Sequence, residues 1–150
     1  MPSISPEQLL QRTSDAGIMD ARQIESIWAE LGTREVPLDV VTGMLLRKEL
    51  LTNYQLERLL KGEKGGYFYG EYKVLYLVGT GTFARVYRAV NVRSGRIVCV
   101  KAMRKRFRDD KAMCEQFLRE GKIGVHLRHP CIVPIYEVMD QPSPSLVMEF

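Results

Sequence analysis

The sequence predicts an α+β chain. A small all-helical segment over residues 1–62 is followed by a glycine-rich linker at 63–71 and, over 72–150, by a five-stranded antiparallel sheet with one helix. Three observations carry this reading. Apolar residues recur at helical spacing behind capping signatures in the first sixty or so residues. From Tyr72 the period changes to two, with β-branched enrichment. One long helical pattern, "DDKAMCEQFLREGKIGVHL", then interrupts the strands.

The first helix is expected after Ser5, with Pro6 in its first turn and Gln8 as capping-box partner. Leu9 and Leu10 follow, and the pattern breaks by Gly17. Asp20 opens a second helix with Gln23 at N3; Ile24, Ile27, Trp28 and Leu31 share a face, and Gly32 stops it. A third follows Pro37, carrying Val40, Val41, Met44 and Leu45. The fourth begins at Thr52 with Gln55 at N3, carries Leu56, Leu59 and Leu60, and ends near Gly62. "IMDARQIESIW" and "LLTNYQLERLL" echo each other in cap, glutamine, glutamate and apolar positions. A duplicated helical hairpin explains the echo, and so do two amphipathic helices with similar caps. Trp28 is expected in the core.

"KGEKGGYFYGEY" ends the helical pattern, and strands follow from Tyr72. "VYRAVNV" and "RIVCVKAM" flank a turn at Ser94-Gly95. The long helix is expected from Asp109 or Asp110, and "HPCIVPIYEV" and "SLVMEF" read as two more strands.

Hydrophobic content of 45% and charged content of 27% are those of a soluble globular protein. The net charge of +4 comes partly from the run Lys101 to Lys111, read as a solvated loop and helix start and not as a nucleic-acid contact. Cys99, Cys114 and Cys131 form no C-x-x-C pair, so neither a disulfide framework nor a zinc site is suggested. The N-terminus lacks the pattern of a signal peptide, and no apolar run approaches the ~20 residues that cross a bilayer. A cytoplasmic protein, or the cytoplasmic N-terminal part of a longer membrane-anchored one, is expected.

The stretch "VGTGTFARVYRAV" admits two phosphate-binding readings. As G-x-G-x-x-A it fits a dinucleotide fold, which requires a helix after the glycines and an acidic residue about 20 positions on. A strand follows Ala84 instead, and that later neighbourhood holds Lys101. The strand–loop–strand reading has its own logic. Gly79 and Gly81 let backbone amides approach phosphates without a Cβ in the way. Phe83 can cover the nucleotide and Val86 can lie against the base. Lys101 on the next strand reaches phosphate oxygens and needs a carboxylate to orient it, for which Glu120 on the following helix is placed. Phe117 and Ile123 are expected on that helix's sheet-facing side.

With these residues in order, Tyr72 to Phe150 resembles the N-terminal lobe of a eukaryotic-like, bacterial-type serine/threonine protein kinase. "GTGTFARV" is similar to the glycine-rich loop, "VCVK" to the V-A-I-K strand, Glu120 to the C-helix glutamate, "RHPCIV" to the loop that follows, and "LVMEF" to the strand entering the hinge. The resemblance implies an ATP site made of Val78, Gly79, Thr80, Gly81, Thr82, Phe83, Ala84, Val86, Cys99, Lys101, Met148 and Glu149. Met148 would be the gatekeeper and Glu149 the hinge residue facing the adenine amino group. It also implies Mg2+ with the ATP in the complete kinase, and a protein substrate. The helical segment with "LTNYQLERLLKGEKGGYFYGEYKVL" also resembles N-terminal extensions of some bacterial kinases, and residues 1–62 are expected to bind a protein partner or self-associate.

Some residues depart from the family pattern. Ala84 stands at the third glycine and Cys99 at the usual alanine beside adenine. The Cys99 thiol is expected to be inert, with no evident thiolate-stabilising neighbour. Gly121 and Gly124 in the C-helix each cost about 1 kcal/mol relative to alanine, so an easily displaced helix and a conditional Lys101–Glu120 pair are expected. No H-R-D or D-F-G element occurs before Phe150, so no metal ligand is assigned. The 150-residue chain is expected to bind ATP weakly or not at all, and not to transfer phosphate by itself. A kinase fragment is the leading expectation; a non-catalytic interaction or dimerisation module and a pseudokinase are the alternatives.

Overall fold

The computed structural model describes residues 3–141 and 143–150 and divides into two compact units, one ending at Tyr67 and one beginning at Phe68. Each is built from elements whose ends are set by local chemistry.

The first unit holds α1 (Pro6–Asp15), α2 (Ala21–Leu31), α3 (Leu38–Arg47) and α4 (Asn53–Leu60). Three of the four begin with a reciprocal capping box: Ser5 with Gln8, Asp20 with Gln23, and Thr52 with Gln55. Each box satisfies two donors that a helix start would otherwise leave bare. Leu9, Leu10, Ile27, Val41, Leu45 and Leu59 are buried and form the centre of this unit. Arg12 donates through Nη1 to the carbonyl oxygens of Leu59, at 2.7 Å, and Leu60, at 3.4 Å. Its cation thus closes the C-terminal end of α4, where the helix dipole is negative.

The two hairpins share one register. A shift of 32 residues carries the start of α1 onto that of α3, Pro6 to Leu38, and the start of α2 onto that of α4, Ala21 to Asn53. The turns match as well. The Thr13 carbonyl accepts from the amides of Ile18 and Met19, and the Leu45 carbonyl accepts from those of Leu50 and Leu51. Each turn passes through one left-handed residue, Gly17 at φ 78° and Glu49 at φ 57°. Trp28, expected in the core, is only half-buried and lies under the Arg34 guanidinium, 4.7 Å from the ring centre. The core position is taken by its neighbour Ile27.

The glycine-rich stretch 63–71 is not a bare connector. Arg58 Nη2 donates to the Gly65 carbonyl at 2.6 Å, and the buried Tyr67 donates its hydroxyl to the Glu63 carbonyl at 2.6 Å. Phe68–Tyr69 then form a short strand, β1, that pairs with the next.

The second unit continues with β2 (Tyr72–Thr80), β3 (Ala84–Asn91), β4 (Ile97–Met103), a 3-10 turn (Lys105–Phe107), α5 (Lys111–Val125), β5 (Ile135–Met139) and β6 (Ser145–Glu149). The strands form one antiparallel sheet in the order β1-β2-β3-β4-β6-β5. Six strands replace the five expected, because β1 is too short to show an alternating pattern. The Tyr72 hydroxyl on β2 donates to Glu137 Oε2 on β5 at 2.7 Å. Four strand steps separate these strands, ~19 Å in a flat sheet, so the sheet must curl to bring them together. Val74, Tyr87, Ala89, Val98, Val100 and Val147 are buried by that curl.

Helix α5 starts at its Asp110 cap, which accepts from the Met113 amide at 3.1 Å. Its seat on the sheet corrects the expectation that Ile123 faces the strands. Ile123 faces outward and is 57% exposed, whereas Gly121 and Gly124 are buried. A Cβ on Gly121 would collide with Leu146 Cδ2 and come within 3.0 Å of Val138 Cγ2; one on Gly124 would collide with Ile135 Cδ1. These glycines are the points of closest approach between helix and sheet, where any larger residue would hold the two apart.

Two stability measurements follow from these contacts. Overpacking costs about 1–3 kcal/mol, more than the ~1 kcal/mol that alanine gains over glycine in a helix. Gly121→Ala should therefore lower the thermal midpoint of the second unit; an unchanged or higher midpoint would mean that Leu146 turns aside freely. Glu49→Gly should raise the stability of the first unit by up to about 1 kcal/mol, because it relieves a left-handed side-chain residue. Denaturant titration reads that change, and a loss of stability would contradict it.

Candidate functional site

The site is built on the β2–β3 hairpin and on β4. Residues directly opposite on antiparallel strands point to the same side, and alternate residues of one strand share a face. Val86 pairs with Lys101, and Lys101 with Leu146; Arg88 pairs with Cys99, and Cys99 with Met148. One face of the sheet thus gathers Val86, Cys99, Lys101 and Met148, all half-buried. Tyr87, Val98, Val100 and Val147 on the other face are core. Helix α5 lies on the Lys101 side, since Leu146 fills the gap at Gly121.

Gly79 and Thr80 are still paired with Val86 and Arg85, so the unpaired loop is only Gly81–Phe83. The Gly81 amide donates to the Ala84 carbonyl at 2.8 Å and closes it. Gly79 and Gly81 do not have left-handed φ, and a Cβ on Gly79 would meet nothing within 4 Å. Neither the backbone nor the chain's own packing demands a glycine at 79. Val78 and Phe83 are 56% and 50% exposed, whereas Ala84 is buried.

Phe83 does not stand free at the loop tip. Its ring packs edge-on against Phe107 at 5.0 Å and, with Met103, Met113, Gln116, Phe117 and Glu120, lines a cavity of about 290 Å³. Lys101 and Glu120 are not joined by an ion pair among the described residues; Glu120 is exposed and accepts from Gln116 Nε2 at 3.3 Å. At the far end of the strand the exposed Glu149 donates its amide to the Pro134 carbonyl at 2.9 Å, and the Arg88 guanidinium lies 5.1 Å from the Phe150 ring centre.

Arg104 escaped the sequence reading, because the basic run that contains it reads as solvated surface. Its Nη1 donates to the carbonyls of Gly81, at 3.2 Å, and Thr82, at 3.5 Å. Its own amide donates to the Phe83 carbonyl at 2.8 Å. Its place just past the end of β4 was the available signal.

This geometry defines a class of site: a strand–loop–strand hairpin that covers one face of a sheet carrying a lysine. The comparisons agree with it. Residues 72–150 match the protein kinase domain, and the chain belongs to that family. It is similar to CBL-interacting serine/threonine-protein kinase 24 of Arabidopsis thaliana, with 42% identity over 82 residues covering 54% of this chain and 18% of the relative. It is also similar to serine/threonine-protein kinase PknD of Chlamydia muridarum, with 37% identity over 67 residues covering 45% and 7%. The matched part of the chain therefore spans less than a fifth of either relative. A solved structure described as "PpkA-294 apo form" shares the fold, with TM-score 0.50 and 19% identity over 57% of this chain and 37% of that one.

Burial pushes the Cys99 thiol up from its ordinary range. A raised thiol holds less thiolate near neutral pH, and thiolate is the reactive form. Cys131 is exposed. Alkylation near neutral pH followed by peptide mass spectrometry should modify Cys131 well before Cys99; the reverse order would show that Cys99 is activated.

Proposed function

We propose that residues 72–150 are the nucleotide-covering lobe of a serine/threonine protein kinase, which in its complete form transfers the γ-phosphate of ATP to protein hydroxyls. The observation that carries this reading is the pairing of Val86 with Lys101 beneath a loop whose Thr82 and Phe83 amides have no acceptor among the described residues. Lys101 would hold the α- and β-phosphates, and Glu120 would orient it after α5 moves to bring the two together. The loop from Val78 to Ala84 would cover the phosphates, Val86 and Cys99 would line the base, and Met148 and Glu149 would border it. The open space at Gly79 fits a ligand that approaches the backbone closely.

The Mg2+ that accompanies ATP would arrive with the nucleotide. Among the described residues no cluster of three metal-ligating side chains is present, and the sequence contains neither H-R-D nor D-F-G. The 150-residue chain by itself would hold ATP weakly and transfer nothing. The separation of Lys101 from Glu120 favours, as a second reading, a lobe that binds nucleotide without catalysis. We assign the helical unit to a protein partner or to self-association, a role supported by the exposed Val40 and Leu60. Among the described residues no helix is long and apolar enough to cross a membrane, and a cytoplasmic setting is proposed.

Titration of the chain with ATP and with adenosine tests the site. Lys101→Met should weaken ATP binding by about tenfold, the scale of a lost charge-assisted contact, and leave adenosine binding unchanged. Equal affinity of parent and variant for ATP would remove Lys101 from the site. Phosphate transfer by the 150-residue chain would contradict the assignment of the catalytic groups elsewhere.

A further inference from the structure

We infer that Arg104 is a positioning residue for phosphate binding: it turns the loop carbonyls toward itself and so presents the amides of Thr82 and Phe83 to an anion. The inference rests on the nucleotide reading of the site and adds to it the group that shapes the loop.

The geometry begins with the peptide bond. In a trans peptide the C=O of one residue and the N–H of the next point in opposite directions. Arg104 Nη1 binds the Gly81 carbonyl, so the Thr82 amide points away from Arg104. The same side-chain nitrogen binds the Thr82 carbonyl, so the Phe83 amide also points away. The Arg104 backbone amide binds the Phe83 carbonyl and fixes the end of the loop. Three successive carbonyls are thus held by one residue. The Gly81 amide is spent on the Ala84 carbonyl, which leaves the Thr82 and Phe83 amides as the loop's unpartnered donors among the described residues. Successive backbone amides without acceptors form a concavity suited to a phosphate oxygen.

Packing supports the same arrangement. The Phe83 ring rests edge-on against Phe107, in the 3-10 turn that follows Arg104. The loop is therefore held both by a side chain and by a ring contact, while its Thr82 and Phe83 donors keep no protein acceptor among the described residues. A loop free to rotate its peptide planes would lose orientation entropy on binding each phosphate oxygen; a loop already held loses less. Arg104 touches the loop's carbonyls, and it acts on the anion through them. A guanidinium nitrogen with two hydrogens can serve both oxygens, and a lysine ammonium can do so as well.

The test is an amide-resolved NMR titration of the isotopically labelled chain with ATP, ADP, adenosine and inorganic triphosphate. Three forms are compared: the parent, Arg104→Ala and Arg104→Lys. In the parent, ATP, ADP and triphosphate should move the Thr82 and Phe83 amide signals, and adenosine should not. Arg104→Ala should shift or broaden those two signals before any ligand is added. It should weaken ATP and triphosphate binding about fivefold, with adenosine affinity and the rest of the spectrum unchanged. Arg104→Lys should restore both the free-state signals and the affinity to within about twofold. If affinity falls in Arg104→Ala while the free-state loop signals stay in place, Arg104 acts as a distant charge and the positioning role is overturned. If ATP moves the amides equally and binds equally in parent and Arg104→Ala, that role is overturned and the nucleotide reading stands. If ATP moves none of these amides in the parent, the nucleotide reading falls and the inference falls with it.

Discussion

Seven consecutive cross-strand pairs, from Ala84 with Met103 to Val90 with Ile97, hold β3 against β4 without a break. The rest of the site depends on that register. A slip of one residue would turn Lys101 into the core and bring Val100 out to the face that carries Val86. Because the ladder ends at Ala84 and Met103, the next residue on each strand is Phe83 and Arg104, and their backbones meet in a hydrogen bond. The hold on the loop is thus an extension of the ladder by one step, with a side chain added. The β2–β3 pairing, by contrast, contains two irregularities, between Val74 and Tyr76 and between Leu77 and Gly79. β3 thus has a regular ladder on one side and an irregular one on the other, and Gly79 borders one of the irregularities.

The second constraint is the distance of α5 from the sheet. Leu146, Val138 and Ile135 occupy the space that side chains on Gly121 and Gly124 would need, so helix and sheet are in contact through backbone on one side. Leu146 and Ile135 thus insert into the gaps that the two glycines leave in the helix surface. The cavity of about 290 Å³ beside Phe117 lies along the side of α5 that carries Glu120.

The parts of the fold legible in the sequence are those whose partners lie within a few residues. The three capping boxes could be read from Ser5, Asp20 and Thr52 because both hydrogen bonds of each box are local. The strands around Ser94-Gly95 showed themselves by alternation and turn chemistry, whereas the pairing of Lys101 with Val86 is visible only in the register. What escaped depends on distances between elements. The sheet-facing side of α5 was assigned by apolar residues, yet the contact is made by Gly121 and Gly124, and Ile123 points to solvent. Trp28 looked like core by type, but Ile27 has that place. Arg104 looked like one of several surface cations, and only its distances to Gly81 and Thr82 separate it from them. Phe68–Tyr69 became a strand only because β2 offered an edge.

The central claim is that ATP phosphates lie between the Gly81–Phe83 loop and Lys101. An ATP analogue carrying an acyl group on its terminal phosphate tests this directly, since a lysine amine held beside that phosphate displaces the nucleotide and keeps the acyl group. Peptide mass spectrometry then locates the modified lysine. The account predicts selective acylation of Lys101, suppressed by excess ATP and not by adenosine. Acylation spread over the exposed lysines, with Lys101 unmodified and no protection by ATP, would contradict it.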